Sequence, residues 1–511
     1  MATAKPARRN GKKKRPKKPK LRKKRNKMAL QTYTYDGPER FHSLVGQVMA
    51  SLGYVGGREV RDVGAAVTVR EEGAHLHVRC TFQDGGAPWS SEASLVGTDR
   101  ERASLKDCLI HWHNRFCGHG PSPWGTLIGV RPTKLVHHLF DQGFTADQAE
   151  KALQTSYCVA PAVARDLVAM ARLQRPYVTD RGRKVALYVG IPYCPSHCLY
   201  CSFPSRLIGR EGEAELTAFR DAVLADLDDL ADLCRTYDLE VTSLYVGGGT
   251  PTCLPLPVLE AMMTRLARNF PEACEWTVEA GRPDTATPDM LAMLRQAGVD
   301  RISVNPQTLQ QHLLDALGRR HRVEDIYTMY ENCRKLGFSV INMDFIAGLP
   351  GQTVADMQEN MEIVCKLHPE NVTIHTLALK KRAPLFHHEL RAAIPPAEET
   401  GHMVRLCQSI LTAGGYVPYY MYRQKYMAAS FANIGYALPG SVSAYNIEMM
   451  EERQSVLAAG PGGATKFLCR DGHTLEKVYM LKDVDAYVQA LAERIAQRRR
   501  LCAIIYGKED V

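Results

Sequence analysis

The sequence predicts an α/β protein built on an incomplete (β/α)6 TIM-like barrel, with an α+β domain before it and an extension after it. Three observations carry this reading. Between residues 183 and 380, six short apolar runs alternate with longer amphipathic segments: "VALYVG", "VTSLYVGG", "EWTVEAG", "DRISVN", "SVINMDFIAG" and "NVTIHTLA". The runs lack polar alternation, so their strands should be buried on both faces, as in a parallel sheet covered by helices. Polar or glycine-rich residues then recur at the same end of strand after strand, which is where a barrel gathers its function.

In chain order, the first element is a basic tail. The formal charge of +10 on 511 residues is local: residues 1–28 hold fifteen Lys or Arg and no acid, leaving 50 basic against 55 acidic side chains, or −5, in the other 483. The stretch "KKKRPKKPKLRKKRNK" repels itself and has no apolar surface to bury, so residues 1–28 are expected to be disordered. The tail is either simply solvated or a salt-sensitive attachment to nucleic acid or another polyanion. No apolar segment follows it, so no secretory signal is expected. No run reaches the roughly 18–20 apolar residues of a membrane span. Fifteen scattered cysteines, an odd number, fit a reducing cytoplasm better than a disulfide framework.

Residues 29–180 read as an N-terminal α+β domain. "AAVTVREEGAHLHVRCTF" alternates in the strand period, with "EEG" as the expected turn of a hairpin. Helical patterns follow around 99–117, 131–142, 145–156 and 160–174, with Pro132 near a helix start. His111 and His113 point to different faces of one helix, so packing or surface roles fit them better than a shared metal. No catalytic constellation is visible in this domain.

The barrel, residues 181–395, is different. The first run leads into "CPSHCLYC", with Cys194, Cys198 and Cys201; the second ends in "GGGTPT", the third in Glu279, the fourth near Gln307, and the fifth carries Asp344 before "AGLP". Each feature alone has a plain explanation as a turn, a helix cap or a local ion pair. Their shared end points to a common site. Three clustered thiolates ligate zinc or an iron–sulfur cluster. Zinc would need a fourth ligand, for which His197 is the only local candidate, and the usual second cysteine pair is missing. Three thiolates suit a 4Fe–4S cluster with one iron left open to a small chelating molecule.

Cys194-x-x-x-Cys198-x-x-Cys201, with Tyr200 before the third cysteine, resembles the radical S-adenosylmethionine enzymes. "LYVGIPYCPSHCLYCSF", "YVGGGTPT", "DRISVNPQTL", "LGRRH" and "NMDFIAGLPGQT" resemble more narrowly the oxygen-independent coproporphyrinogen III oxidase branch, in its divergent dehydrogenase subgroup with an extra N-terminal domain. The resemblance implies a radical barrel over 181–395 and a substrate-covering region over 396–511. It implies a 4Fe–4S cluster on Cys194, Cys198 and Cys201, and S-adenosylmethionine, in one copy or two. Tyr188, Tyr200, Gly248, Gly249, Thr250, Glu279, Ala378 and Ala464 would contact that cofactor. Gln307, Arg319 and Asp344 would bind a second copy or the substrate, and are the catalytic candidates. The implied reaction converts two propionates of coproporphyrinogen III to vinyl groups, with a flavodoxin- or ferredoxin-like electron donor.

A tetracarboxylate on an apolar ring needs cations beside aromatics. Lys380, Lys381 and Arg382 in "LALKKRAPLF", and Arg423 and Lys425 among the tyrosines of "YYMYRQKYM", are the candidates. Two positions depart from the branch: Phe203 stands where the main oxidases carry another cysteine, and Gly190 where a histidine is usual. Two other readings share the cofactors: a haem-binding trafficking protein, and a radical enzyme acting on RNA through the basic tail.

Overall fold

The computed structural model describes residues 31–507 apart from 53, 57–62, 84–86, 97–100, 118–122, 128–130, 179–181, 204, 211 and 424–430. The basic tail and Lys425 lie outside the described residues.

The first unit is a five-stranded sheet, in the order β2-β1-β3-β4-β5: β1 (Gln31–Asp36), β2 (Tyr54–Gly56), β3 (Val63–Glu72), β4 (His75–Phe82) and β5 (Trp89–Val96). Helices Glu39–Ser51 and Glu101–Phe116 supply Phe41, Val45, Leu105 and Leu109 to its core, against Val67, Val69 and Phe82. The expected hairpin is present with a shifted turn. Glu71 and Glu72 still pair with Leu76 and His75. The reversal falls on Gly73 and Ala74, where Gly73 takes a φ of 58° that a side chain would disfavour.

A second unit consists of helices Thr133–Asp141, Ala146–Tyr157 and Pro161–Val178. Its core of Trp124, Val136, Leu153 and Leu167 is separate from the first and includes Met421 and Ala432 of the main sheet. The stretch read as one α+β domain thus contains two cores, and the second is shared with the barrel.

The main sheet has eleven strands among the described residues. Six are those expected: β6 (Lys184–Ile191), β9 (Glu240–Gly248), β10 (Glu275–Glu279), β11 (Arg301–Gln307), β12 (Val340–Ala347) and β13 (Asn371–Thr376). They are neighbours in that order and all parallel. Two-residue strands β7 (Tyr193–Cys194) and β8 (Arg206–Leu207) pair across the base of the cysteine loop. The remaining chain extends both edges of the sheet. β14 (Val417–Arg423) and β15 (Ala432–Ala437) add antiparallel beyond β13. β16 (Ser455–Ala459) adds a seventh parallel strand beside β6, followed by antiparallel β17 (Ala464–Leu468) and β18 (Leu475–Tyr479).

Helix Ala444–Glu451 closes the end of the barrel where the strands begin. Glu275 accepts from Ser443 Oγ at 2.8 Å and from the backbone N–H of Ala444 at 2.8 Å and Tyr445 at 3.1 Å, an anion on a helix N-terminus. Glu448 accepts from Ser243 Oγ at 2.6 Å and Thr242 Oγ1 at 3.1 Å. Helix Val484–Tyr506 packs on helix Glu213–Thr236 through Arg498, which is fully buried against Asp226 and Asp229 at 2.6 and 2.5 Å. A buried ion pair needs all its lone pairs filled. Asp226 meets this by also accepting from Tyr487 Oη at 2.7 Å and from the Gly460 N–H at 3.0 Å.

Candidate radical-cofactor site

The cysteine loop is gripped from both sides. Leu199 N–H donates to Leu317 O at 3.1 Å, and Leu385 N–H donates to Leu199 O at 2.8 Å. At its base, Gly249 N–H donates to Ile191 O and Thr250 N–H to Tyr193 O, both at 2.7 Å. Thr250 Oγ1 points at Cys194 Sγ from 3.7 Å. A Cβ on Gly249 would stand 2.3 Å from Tyr193 O and 3.1 Å from Cys194 Sγ, so only glycine lets the strand end approach the thiol.

Cys194, Cys198 and Cys201 are all half-buried. Burial pushes the Cys194 and Cys201 thiols up, and the nearness of Cys198 adds to it. Lys380 acts the other way on Cys201 and Arg282 on Cys194. Among the described residues no three His, Cys, Asp or Glu side chains are grouped as a single-ion site. A cubane cluster spreads its thiolates over different irons, and the three thiols of one loop are the donor type it takes.

The rim beside this loop holds most of the other candidates. Glu279 accepts from Tyr245 Oη at 2.6 Å and from the Gly248 N–H at 3.2 Å. Burial, with the charge of Asp344 adding to it, raises its pKa. Tyr188 stacks with Tyr245 and Tyr445 at centroid separations of 6.3 and 6.4 Å, and the latter two stack on each other at 4.4 Å. Arg319 donates to Tyr200 Oη at 3.2 Å, to Gly281 O at 3.1 Å and to Asn305 O at 2.7 Å. The loop carrying the third cysteine is therefore tied to the ends of the third and fourth strands of the predicted barrel.

Two buried polar atoms here have no protein partner, Arg319 Nε and Gln307 Oε1. Gln307 also adopts a φ of 69°, rare for a residue with a side chain and typical of positions where function outweighs local comfort. Asp344 accepts from Asn342 Nδ2 at 2.8 Å and lies 3.6 Å from His375 Nε2. Burial works to raise its pKa, but the His375 hydrogen bond and charge outweigh it and hold the group below the usual carboxylate value. Ala378 is half-buried just past β13. Ala464 opens β17 after a loop whose Gly460 presses on Gly190; a Cβ at Gly190 would meet Pro461 O at 2.7 Å. The backbone of this loop occupies the space beside Gly190, which explains why no histidine stands there.

The expected tetrapyrrole contacts that are described lie in different surroundings. Lys380, Lys381 and Arg382 are exposed. The guanidinium of Arg423 donates to Leu127 O and lies 4.7 Å over the Trp124 ring, with burial pushing its pKa down to about 10. It joins the helical unit to β14. Sequence reasoning also missed Arg282, which is 4 % exposed and reaches Ser196 Oγ in the cysteine loop at 2.7 Å while paired with Asp284 at 2.7 Å. Its only visible signal was its place just after the third strand. His375 and Tyr445 carried no signal, because their contacts are long-range.

The profile of the Radical SAM superfamily matches residues 188–364. The chain is 37 % identical over 376 residues to the oxygen-independent coproporphyrinogen-III oxidase-like protein HemZ of Bacillus subtilis, an alignment spanning 71 % of this chain and 74 % of that protein. It is 28 % identical over 253 residues to the heme chaperone HemW of the same organism, spanning 48 % of this chain and 63 % of that protein, just under two thirds of its length. Among solved structures, coproporphyrinogen III oxidase (HemN) from Escherichia coli matches with a TM-score of 0.49 and 22 % identity, over 66 % of this chain and 79 % of that one. No helix among the described residues is long and apolar enough to cross a membrane. The chain belongs to the radical SAM superfamily, in its HemZ-like branch, and that membership implies a 4Fe–4S cluster and S-adenosylmethionine as cofactors.

Proposed function

We propose that the protein is an oxygen-independent coproporphyrinogen III dehydrogenase, which oxidatively decarboxylates two propionate side chains to give the vinyl groups of protoporphyrinogen IX. The observation that carries this reading is the 37 % identity to a coproporphyrinogen-III oxidase-like protein, which extends well beyond the barrel. The rim supports it, with buried polar atoms of Gln307 and Arg319 left for a ligand beside a cysteine loop.

Cys194, Cys198 and Cys201 would hold three irons, leaving the fourth for the amino and carboxylate groups of S-adenosylmethionine. The bound cofactors supply a one-electron cleavage that makes a hydrogen-abstracting radical. The chain's own residues orient and shield it. Gly248 and Gly249 allow close backbone approach, and Glu279 offers a carboxylate to the ammonium or ribose hydroxyls. Arg319 already spends three of its five N–H donors on Tyr200 Oη and two carbonyls, so Nε–H and the second Nη1–H remain for a ligand anion. Asp344, held ionised by Asn342 and His375, keeps that imidazole oriented at the inner wall.

The similarity to heme chaperones supports a second reading, haem binding without porphyrin chemistry. Product analysis separates the two. Incubated without oxygen with coproporphyrinogen III, S-adenosylmethionine and a reductant, the protein should yield the three-carboxylate intermediate and then the two-carboxylate product. Unchanged coproporphyrinogen together with stoichiometric haem binding would overturn the dehydrogenase in favour of the chaperone.

A further inference from the structure

Two buried arginines reach the cysteine loop. Arg319 meets it at Tyr200 Oη and belongs to the rim already described. Arg282 meets it between two of the thiols. It follows β10, and its backbone is fixed by a turn: the Arg282 carbonyl accepts from Thr285 N–H at 3.2 Å, Thr285 Oγ1 at 3.0 Å and Ala286 N–H at 3.3 Å. From there the guanidinium works in two directions. Nε and Nη2 donate to the two oxygens of Asp284 at 2.9 and 2.7 Å, a bidentate fork. Nη1 donates to Ser196 Oγ at 2.7 Å, and Ser196 stands between Cys194 and Cys198 in the chain.

This pair has a polarity. The Asp284 side chain is 25 % exposed and that of Arg282 only 4 %, so water screens the carboxylate end more than the cationic end. Burial works against both charges, yet both are held. His321 and Arg282 keep the Asp284 carboxyl well below the usual carboxylate range, and Asp284 keeps the guanidinium charged. Cys194 and Cys198 both lie within electrostatic reach of that guanidinium. A neutral donor would hold Ser196 as well, and burying a cation for that task alone is costly unless negative charge stands opposite. Asp284 supplies one such charge and the cluster's thiolates supply more, on a group whose potential follows the charge around it. We propose that Arg282, braced by Asp284, positions the cysteine loop and also sets the reduction potential of the 4Fe–4S cluster, its charge stabilising the reduced form. The inference rests on the superfamily's cluster and not on the tetrapyrrole reaction. One electron from an external low-potential donor enters the cluster with no bond made or broken, and a cation already in place meets the added negative charge. Lysine could supply the charge but not the fork that faces Asp284 and Ser196 together.

The test is a spectroelectrochemical titration of the full chain with its cluster reconstituted anaerobically, without S-adenosylmethionine or porphyrin. Arg282→Gln keeps a donor for Ser196 and removes the charge. The equilibrium constant for one-electron reduction should then fall roughly tenfold or more, a midpoint at least about 59 mV more negative. Asp284→Asn removes the opposing charge and should raise the same constant by about threefold or more. Ser196→Ala removes only the loop hydrogen bond and should leave it within about twofold, and Arg282→Lys should restore most of what Arg282→Gln loses. Opposite shifts from Arg282→Gln and Asp284→Asn are the signature of charge, since damage to the loop would move both the same way. A fully loaded Arg282→Gln protein with the wild-type midpoint, or parallel shifts in the two variants, would overturn the proposal and leave Arg282 a loop brace. If Arg282→Gln assembles no cluster, Asp284→Asn decides alone: a more positive midpoint supports the proposal, and an unchanged or more negative one sinks it. No readout involves porphyrin, so failure of the dehydrogenase assignment leaves the result interpretable.

Discussion

The two ends of the barrel bury polar groups in opposite ways. Where the strands begin, Glu275 and Glu448 have both carboxylate oxygens filled by protein donors, and Arg301 is tied to Asn371 Oδ1 at 2.7 Å and Ser441 O at 3.0 Å. Where the strands end, Gln307 Oε1 and Arg319 Nε are buried without partners, a glutamine sits at positive φ, and glycines keep side chains out of the way. Burying an unmet polar atom costs about 1–3 kcal/mol, so a fold tolerates it where something else completes the set. At the first end the charges of Glu275, Glu448 and Arg301 are met within the protein, although Trp276 Nε1 and Thr277 Oγ1 there are not. At the other end Gln307 and Arg319 keep buried atoms that a ligand can meet.

That contrast predicts which substitutions cost chemistry and which cost stability. The largest effect belongs to the cysteines: Ala at Cys194, Cys198 or Cys201 should abolish the broad thiolate-to-iron absorption of the anaerobic protein, whereas Ala at Cys253 or Cys333 should retain it. Next, Arg319→Ala should lower turnover on the order of a hundredfold, as expected when a preorganised donor is removed, and should also cost stability, because Tyr200 Oη, Gly281 O and Asn305 O lose their donor. Glu448→Ala should cost stability alone, about 1–3 kcal/mol in denaturant unfolding, because Ser243 and Thr242 lose their acceptor. Glu279→Ala should weaken S-adenosylmethionine binding on the order of tenfold with the cluster intact; unchanged affinity would make Glu279 a structural partner of Tyr245.

The smallest effect is a pH dependence at the joint between the helical unit and the barrel. Glu451 is fully buried, accepts from Thr133 Oγ1 at 2.5 Å and has its pKa raised by burial to about 7. The folded state therefore holds a proton that the unfolded chain releases nearer 4.5. This contribution is complete below pH 4.5 and is lost as pH rises through about 7. His137, 3.7 Å from Glu451 and pushed down to about 4 by burial, acts oppositely, its stability falling as pH drops from about 6.5 towards 4. Glu451→Gln should therefore remove the loss of stability between pH 5 and 7, measured by unfolding across that range.

The six parallel strands were legible in the sequence because strands buried on both faces leave unbroken apolar runs. The seventh, β16, was not, because "SVLAA" is short and lies almost eighty residues after β13. The cysteines and the glycine turn were legible because local spacing carries their chemistry. The packing of Arg423 was not legible, for the opposite reason. Composition shows a cation among tyrosines, but only the packing of Trp124 and Leu127 shows where it points. Arg282 and Tyr445 reach the site across 86 and 200 residues or more of chain, a separation that no local pattern encodes.

The central claim is that radical chemistry at the open end of the barrel acts on a propionate side chain. Its most direct test is to supply coproporphyrinogen III deuterated on the propionate carbons next to the ring and to weigh the deoxyadenosine released under anaerobic, reducing conditions. The account predicts deuterium in the deoxyadenosine, with roughly two labelled molecules per two-carboxylate product, since each decarboxylation requires its own radical. Abundant but unlabelled deoxyadenosine, beside intact coproporphyrinogen, would contradict it.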